Sequence, residues 1–356
     1  MSERTKDKDD VAPGVGVDVG TSNICVARRK ADKSFAVRHH RNMLFEVEDS
    51  DETQSMLETS GFLYVKTGGR CYVVGEDALR LVNMIGRGEI VRPMQNGLLN
   101  PDLGDAKRLL FHILKAVVGD PVEKGECLRF SVPANPVDLP DSVNNAFHQG
   151  VLEEFFASLG YSPRPVNEAL ANLHYCAPIM KVQGESDRQM TGYSTSWGAG
   201  MTNTCVALQG MPIRSTMFSI TRSGDHIDKQ VSAVTGTPVG RVIRIKETRL
   251  DLDKVDPDDN VQVALSIYYD EMIGRVVRRS AKVLVDDKRT FDGPVEVVVC
   301  GGTAMVPGFV GRLRKAVAAA GMPFEVADVR LADRPFFSVS QGACLLAAAD
   351  QSKAGR

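Results

Sequence analysis

No apolar run in the 356 residues approaches the ~20 needed to cross a bilayer as a helix, so the chain carries no transmembrane signal. Charge of one sign is not in excess either. Against 43 Lys and Arg stand 45 Asp and Glu, a formal net charge of -2, which leaves no global basic field for nucleic acid. The seven cysteines (Cys25, Cys71, Cys127, Cys176, Cys205, Cys300 and Cys344) contain no CxxC pair, which argues against zinc. Several lie in apolar strand-like runs, where a thiol behaves as a small hydrophobe, and a reducing cytoplasm fits them. There is no GxxxxGK[ST] run, hence no P-loop, and no low-complexity tract. "GVGVDVG" at 14–20 looks like a dinucleotide fingerprint but lacks the third glycine, since position 19 is Val, and no helix follows. The opening MSERTKDKDD is charged and not amphipathic, so it is neither a signal peptide nor a membrane anchor; residues 1–12 are expected to form a disordered tail.

What is present is ordinary globular composition, 43% hydrophobic and 25% charged, at a length that suits two domains or one bilobal protein. Val15–Val19, Ile24–Arg29 and Phe35–His40 read as an antiparallel meander. Residues 46–60 are acidic and polar and read as a loop; 62–65 and 72–74 read as a hairpin around "KTGGR". Helical patterns follow at 102–118 and 141–159, and a strand at 128–132 ends in "PANP". In the second half, Ser194–Trp197, "GAG" and Thr204–Leu208 again read strand, turn, strand, with "PIRSTMFSI" as a third strand. Helices are expected at 225–234, 239–248, 261–285, 308–320 and 340–349, and "VEVVVCGG" is a buried strand that ends in two glycines. His39 and His40, as neighbours on a strand, point to opposite faces and read as structural or surface residues.

One device occurs twice. Asp18-Val-Gly-Thr-Ser-Asn-Ile-Cys-Val-Ala27 and the segment from Ser196 to Ala207 are both strand, Gly-rich turn and strand, with N-x-C-V-A on the return. Glycine in such turns lets backbone N–H groups approach a ligand, so two facing turns suit a polyphosphate gripped from both sides. Asp18, at the tip of the first, suits Mg²⁺ held through water.

In their order along the chain, "GVDVGTSN", "VVGEDAL", "RPMQNGLL", "VPANP", "VNEALA", "WGAGMTNTCVALQG", "RSGDHID", "RIKE" and "VVVCGGTAMVPGF" resemble the motifs of the actin-like ATPase superfamily, its prokaryotic actin homologues of the MreB and MamK kind above all. The resemblance implies an α/β fold of two RNase H-like lobes around a central nucleotide cleft. Lobe I would span 13–165, with a small subdomain at about 33–85, and lobe II 166–338, with a small subdomain at about 225–290; residues 339–356 would form a helix that returns to lobe I. It also implies ATP and Mg²⁺ as ligands, with Asp18 as the metal anchor. Gly20, Thr21, Ser22 and Asn23 would form the first phosphate loop, and Ser196, Gly198, Ala199, Gly200, Met201 and Thr202 the second. Gly224, Asp225, Lys246 and Glu247 would approach the nucleotide, and Gly301, Gly302, Thr303 and Met305 would form the turn under adenosine.

The pattern is broken where the superfamily carries an acid at the start of the second loop, since Ser196 stands there. A hydroxyl holds a Mg²⁺ shell less firmly than a carboxylate. The residue that orients the attacking water falls near Asn145, with Gln149 one turn on and His148 as a further candidate, and slow hydrolysis is expected. The resemblance implies a cytoplasmic, filament-forming protein whose weak ATPase is coupled to assembly. The alternative is a nucleotide-binding scaffold or regulator with little turnover. Expected partners are further copies of the chain and a cytosolic cargo or scaffold protein, with no nucleic acid and no strong membrane signal. "RPFF" at 334–337 reads as packed under the last helix.

Overall fold

The structure, a computed structural model, describes residues 11–85, 90–177 and 191–354. Nearly all of the tail expected at 1–12 therefore lies outside the described residues. Strands β1 (Val11–Val19) and β2 (Asn23–Lys30) form the first hairpin, and β3 (Phe35–Arg41) continues it. Two later strands, β10 (Cys127–Val132) and β11 (Ser162–Asn167), join in parallel, giving the order β11-β10-β1-β2-β3. Val15, Val17, Phe130 and Phe156 pack in one core with Leu110 and Leu114 of α3 (Ala106–Val118), and α4 (Ala146–Ser158) closes it.

A smaller unit is inserted after β3. Strands β4 (Leu44–Val47), β5 (Tyr64–Thr67), β6 (Arg70–Val74) and β7 (Ile90–Val91) form a sheet in the order β5-β6-β4-β7, with helices α1 (Asp51–Thr59) and α2 (Glu76–Ile85) and a separate pair, β8 (Met94–Gln95) and β9 (Leu98–Leu99). The loop expected at 46–60 is instead the end of β4 and the α1 helix. The Ser50 side chain accepts from Thr53 N at 3.2 Å, and Asp51 and Glu52 occupy the first turn, so capping and dipole chemistry outweigh the polar composition. Helices α3 and α4 start later than their apolar periodicity suggests, because turns precede both.

The second half repeats the plan. Strands β12 (Gly192–Trp197) and β13 (Thr202–Leu208) form a hairpin, and β16 (Val295–Cys300) and β17 (Val326–Leu331) run parallel to β12. The third strand expected over "PIRSTMFSI" is split into β14 (Met211–Pro212) and β15 (Ser219–Ile220) by a 3-10 turn at Arg214–Thr216. Helices α6 (Gly224–Thr235), α7 (Val239–Thr248), α8 (Asn260–Asp287) and α9 (Phe309–Ala319) cover this half, with Trp197, Val277, Val297 and Phe309 in its core.

Helices α5 (Glu168–Cys176) and α10 (Ser338–Ala354) pack on each other at the junction, and a third core of small residues, among them Ala169, Ala171, Cys205, Cys300 and Ala343, joins the halves there. This contact explains the glycines of "GVGV". A Cβ on Gly16 would stand 2.0 Å from the Ser340 carbonyl oxygen of α10, so glycine is required for helix-on-strand packing rather than for a ligand. All seven cysteines are buried and free.

Candidate functional site

A cleft of about 630 Å³ opens between the two halves. Both repeated turns reach it, and they are built alike. Gly20 N donates to Asn23 O at 3.1 Å, and Gly198 N donates to Met201 O at 3.0 Å. A Cβ would lie 2.6 Å from Asn23 O in the first turn and 2.9 Å from Met201 O in the second, so each turn closes only on glycine. The turns also touch across the cleft. Thr21 Oγ1 accepts from Gly97 N at 3.0 Å, and a Cβ on Gly200 would fall 2.2 Å from that same Oγ1.

Behind the turns stand acids. Asp18 Oδ1 accepts from Ser131 Oγ at 2.8 Å, and Glu168 Oε2 accepts from Ser196 Oγ at 3.0 Å. Glu168 is the first residue of α5, placed there by the Asn167 cap, whose side chain accepts from Leu170 N at 3.2 Å. Burial raises the pKa of both carboxyls, and the Asp18 charge pushes Glu168 further. The acid missing at Ser196 is thus present one hydrogen bond away, on another element.

The far wall comes from lobe II. The Gly198 carbonyl accepts from Ser223 Oγ at 2.7 Å and Thr303 Oγ1 at 2.8 Å, which ties the second turn to α6 and to the turn after β16. Gly301, Gly302 and Met305 line the cleft beside Thr303. Lys246 Nζ donates to Asp228 Oδ2 at 2.6 Å in a buried pair, while Asp228 Oδ1 has no partner among the described residues. Two arginines of the first half bridge to the second. Arg92 Nη1 donates to both carboxylate oxygens of Asp225 at 2.7 Å, and Arg41 donates to Glu247 at 2.8 Å and to Glu76 at 2.6 Å.

Most residues singled out in the sequence meet here: Asp18, Gly20, Thr21, Ser22 and Asn23 from one side, and Ser196, Gly198, Ala199, Gly200, Met201, Asp225, Lys246, Glu247 and the 301–305 turn from the other. Five do not line the cleft. Thr202 is buried behind the second turn, its Oγ1 2.9 Å from Ser223 Oγ, and Gly224 packs against that turn. Asn145 donates from Nδ2 to the Pro133 carbonyl at 2.6 Å and so holds the "VPANP" loop. Gln149 donates to Glu153 at 3.0 Å along its own helix. His148 is 2% exposed, and burial lowers its pKa to about 4, so it is a neutral interior ring.

Cleft residues outside the expected site include Glu168, Arg41, Arg92 and Asp228, and also His39 and Phe336, for which the sequence suggests only structural roles. Glu168 lies within "VNEALA", Arg92 opens "RPMQNGLL" and Asp228 closes "RSGDHID", so all three belong to motifs that carry the resemblance. The His39 ring meets Phe336 edge-on at 5.4 Å on the cleft wall, so this strand histidine faces the cleft rather than open solvent.

Residues 14–349 match the volactin family. The chain belongs to that family. No curated protein matches the chain in sequence. Among solved structures it is similar to a MamK double helical filament, with 18% identity over 94% of this chain and 98% of that one, at a TM-score of 0.69. A non-polymerising MamK mutant bound to AMPPNP matches with a TM-score of 0.54 at 18% identity, covering 94% and 99% of the two chains. The ethanolamine utilization protein EutJ from Carboxydothermus hydrogenoformans matches with a TM-score of 0.53 at 15% identity, covering 96% and 93%. The chain thus has the actin-like ATPase fold, and no helix of its described residues is long and apolar enough to cross a membrane.

Proposed function

We propose that the cleft binds a magnesium nucleoside triphosphate, ATP in the first instance, and that the protein assembles head to tail into filaments with slow hydrolysis. The observation that carries this reading is the contact of Gly200 with Thr21: two matched glycine turns, one from each lobe, face one another with acids behind them. Free backbone N–H groups in such turns suit phosphate oxygens. The neighbours supply the rest by analogy of fold, since one MamK structure is a filament and another holds AMPPNP.

A Mg²⁺ ion fits these residues in a specific way. No cluster of three or more candidate ligand side chains occurs among the described residues, so a closed protein cage is absent there. Mg²⁺ keeps several waters and takes one or two carboxylates plus phosphate oxygens. Asp18 and Glu168 supply that number, and their raised pKa values mark a place where a cation would relieve the charge that a proton otherwise neutralises. When bound, the ion would neutralise charge on the phosphates. Glu168 would orient the attacking water, a task for which positioning matters more than covalent chemistry. Arg41 and Arg92 would hold the lobes together around the nucleotide.

Polymer would form because a head-to-tail contact does not close on itself. Loss of the γ-phosphate would remove one bridge between the two turns and loosen the closed shape. Electron microscopy and pelleting of the purified chain with and without ATP-Mg²⁺ test this. ATP-dependent polymer that fails to form in Asp18→Asn is the expected result. Tight ATP binding with neither polymer nor turnover would move the protein to the scaffold class; no ATP binding at all would refute the reading.

A further inference from the structure

A second cavity of about 990 Å³ lies beside the cleft, between the small unit of lobe I and helix α7. Its lining carries five cations, Arg92, Lys229, Arg241, Arg244 and Arg249, against two carboxylates, Asp225 and Asp228. Both carboxylates are already engaged, one by Arg92 and the other by Lys246. The side chains of Lys229, Arg241 and Arg244 have neither an ion pair nor a hydrogen bond among the described residues. These three side chains are solvent-exposed at the mouth of one open cavity, where like charges held on one wall repel one another and have no protein partner to offset it. The first turn of α7, which has no side-chain cap, also opens on this space and adds a small positive potential. Ile90, Met94 and Val239 give the same cavity an apolar wall.

We propose that this cavity is a second ligand site, for an oligophosphate: a chain of two or more phosphates, inorganic or carried on a nucleoside. Its size lies within the range of small-molecule sites. Arginine forks and a lysine match several phosphate oxygens at once, as a single carboxylate ligand would not require. The site is wired to the cleft. Arg92, Asp225, Asp228, Ile243 and Arg249 line both cavities, and the Arg92–Asp225 pair forms the partition. An anion in the second cavity competes with Asp225 for Arg92 and so weakens a bridge that holds the lobes together. Occupancy of the second site therefore speeds release of whatever the cleft holds. Only this coupling rests on the nucleotide reading of the cleft; binding in the cavity does not.

The test is calorimetric titration of tripolyphosphate into the full chain, alone and with one molar equivalent of AMPPNP-Mg²⁺, enough for the cleft but not for both sites. Wild type should bind tripolyphosphate in both conditions. R241E/R244E should weaken that binding by at least about tenfold, with AMPPNP affinity unchanged. K229E serves as a second variant should the double one fail to fold by circular dichroism. ADP titrated into the chain that carries one equivalent of AMPPNP shows whether a nucleoside adds affinity through the apolar wall. Tripolyphosphate that binds R241E/R244E and K229E as it binds wild type, or that fails to bind once AMPPNP fills the cleft, would overturn the proposal. Failure of AMPPNP to bind would refute the cleft reading and leave the tripolyphosphate comparison on the free chain to judge the cavity.

Discussion

The Ser196 hydroxyl donates to Glu168 Oε2 at 3.0 Å, so the position at which the superfamily places an acid is wired to an acid on another element. Glu168 and Asp18 look into the same cleft, and the charge of one raises the pKa of the other. This pair sets the first expected behaviour. Glu168 is pushed up to about 8 and Asp18 to about 6, both above the ordinary carboxylate range. The folded chain therefore holds protons that the unfolded chain has released. Their contribution to stability is complete at low pH and is lost as pH rises through about 6 and then about 8. Thermal melts of the nucleotide- and metal-free protein should show Tm falling across that window, with Glu168→Gln removing the upper part of the fall. A Tm that climbs from pH 6 to pH 8 would contradict the assignment.

An acid placed at position 196 carries a cost that the tertiary structure makes visible. Ser196→Asp puts a third carboxylate against Glu168 and near Asp18. Stability of the metal-free protein should drop by about 1–3 kcal/mol, with Mg²⁺ recovering much of it. Urea titrations with and without Mg²⁺ measure both numbers.

At Gly200 the second turn meets the first without room for a side chain. Its Cβ would overlap Thr21 Oγ1 and stand 2.6 Å from Gly97 N. Gly200→Ala should force the turns apart, at about 1–3 kcal/mol of strain, and weaken nucleotide binding far more than it lowers Tm. The single tryptophan, Trp197, is buried at the start of the second turn and gives a fluorescence signal for the titration.

The two inter-lobe ion pairs should differ in effect. In the Arg92–Asp225 pair the side chains are 15% and 23% exposed, whereas Glu247 opposite Arg41 is 39% exposed and better screened. Arg92→Ala should speed release of a fluorescent nucleotide by about tenfold and Arg41→Ala by less than about threefold. Stopped-flow displacement at low and high salt ranks them, and equal effects would count against the difference in screening.

Gln149 engages Glu153 with its side chain, outside the cleft. Gln149→Ala should leave phosphate release within about twofold of wild type, whereas Glu168→Gln should cut it by about a hundredfold. Asn145→Ala removes the bond to the Pro133 carbonyl and should cost about 1 kcal/mol of stability. The reverse ranking would return the water-orienting role to α4.

Much of the cleft was legible in the sequence because its turns are local. Gly20 and Gly198 close on residues three positions away, and a bond of that range leaves a mark in the order of residues. The α6 and α7 helices were likewise visible from their periodicity. The α1 helix was hidden behind acidic composition, although its cap at Ser50 is itself a local signal.

By itself, then, the sequence determined the two matched turns, the strands that carry them and the burial of thiols within apolar runs, since each depends on neighbours along the chain. Only the tertiary structure decided that Glu168 stands beside Ser196, that Arg41 and Arg92 span the cleft, and that Gln149 faces away from it. Those partners lie 28, 206 and 133 positions apart for the first three bonds. No local pattern encodes such pairings; they arise when the small-residue core of α5 and α10 brings the halves together and fixes the directions in which the side chains point.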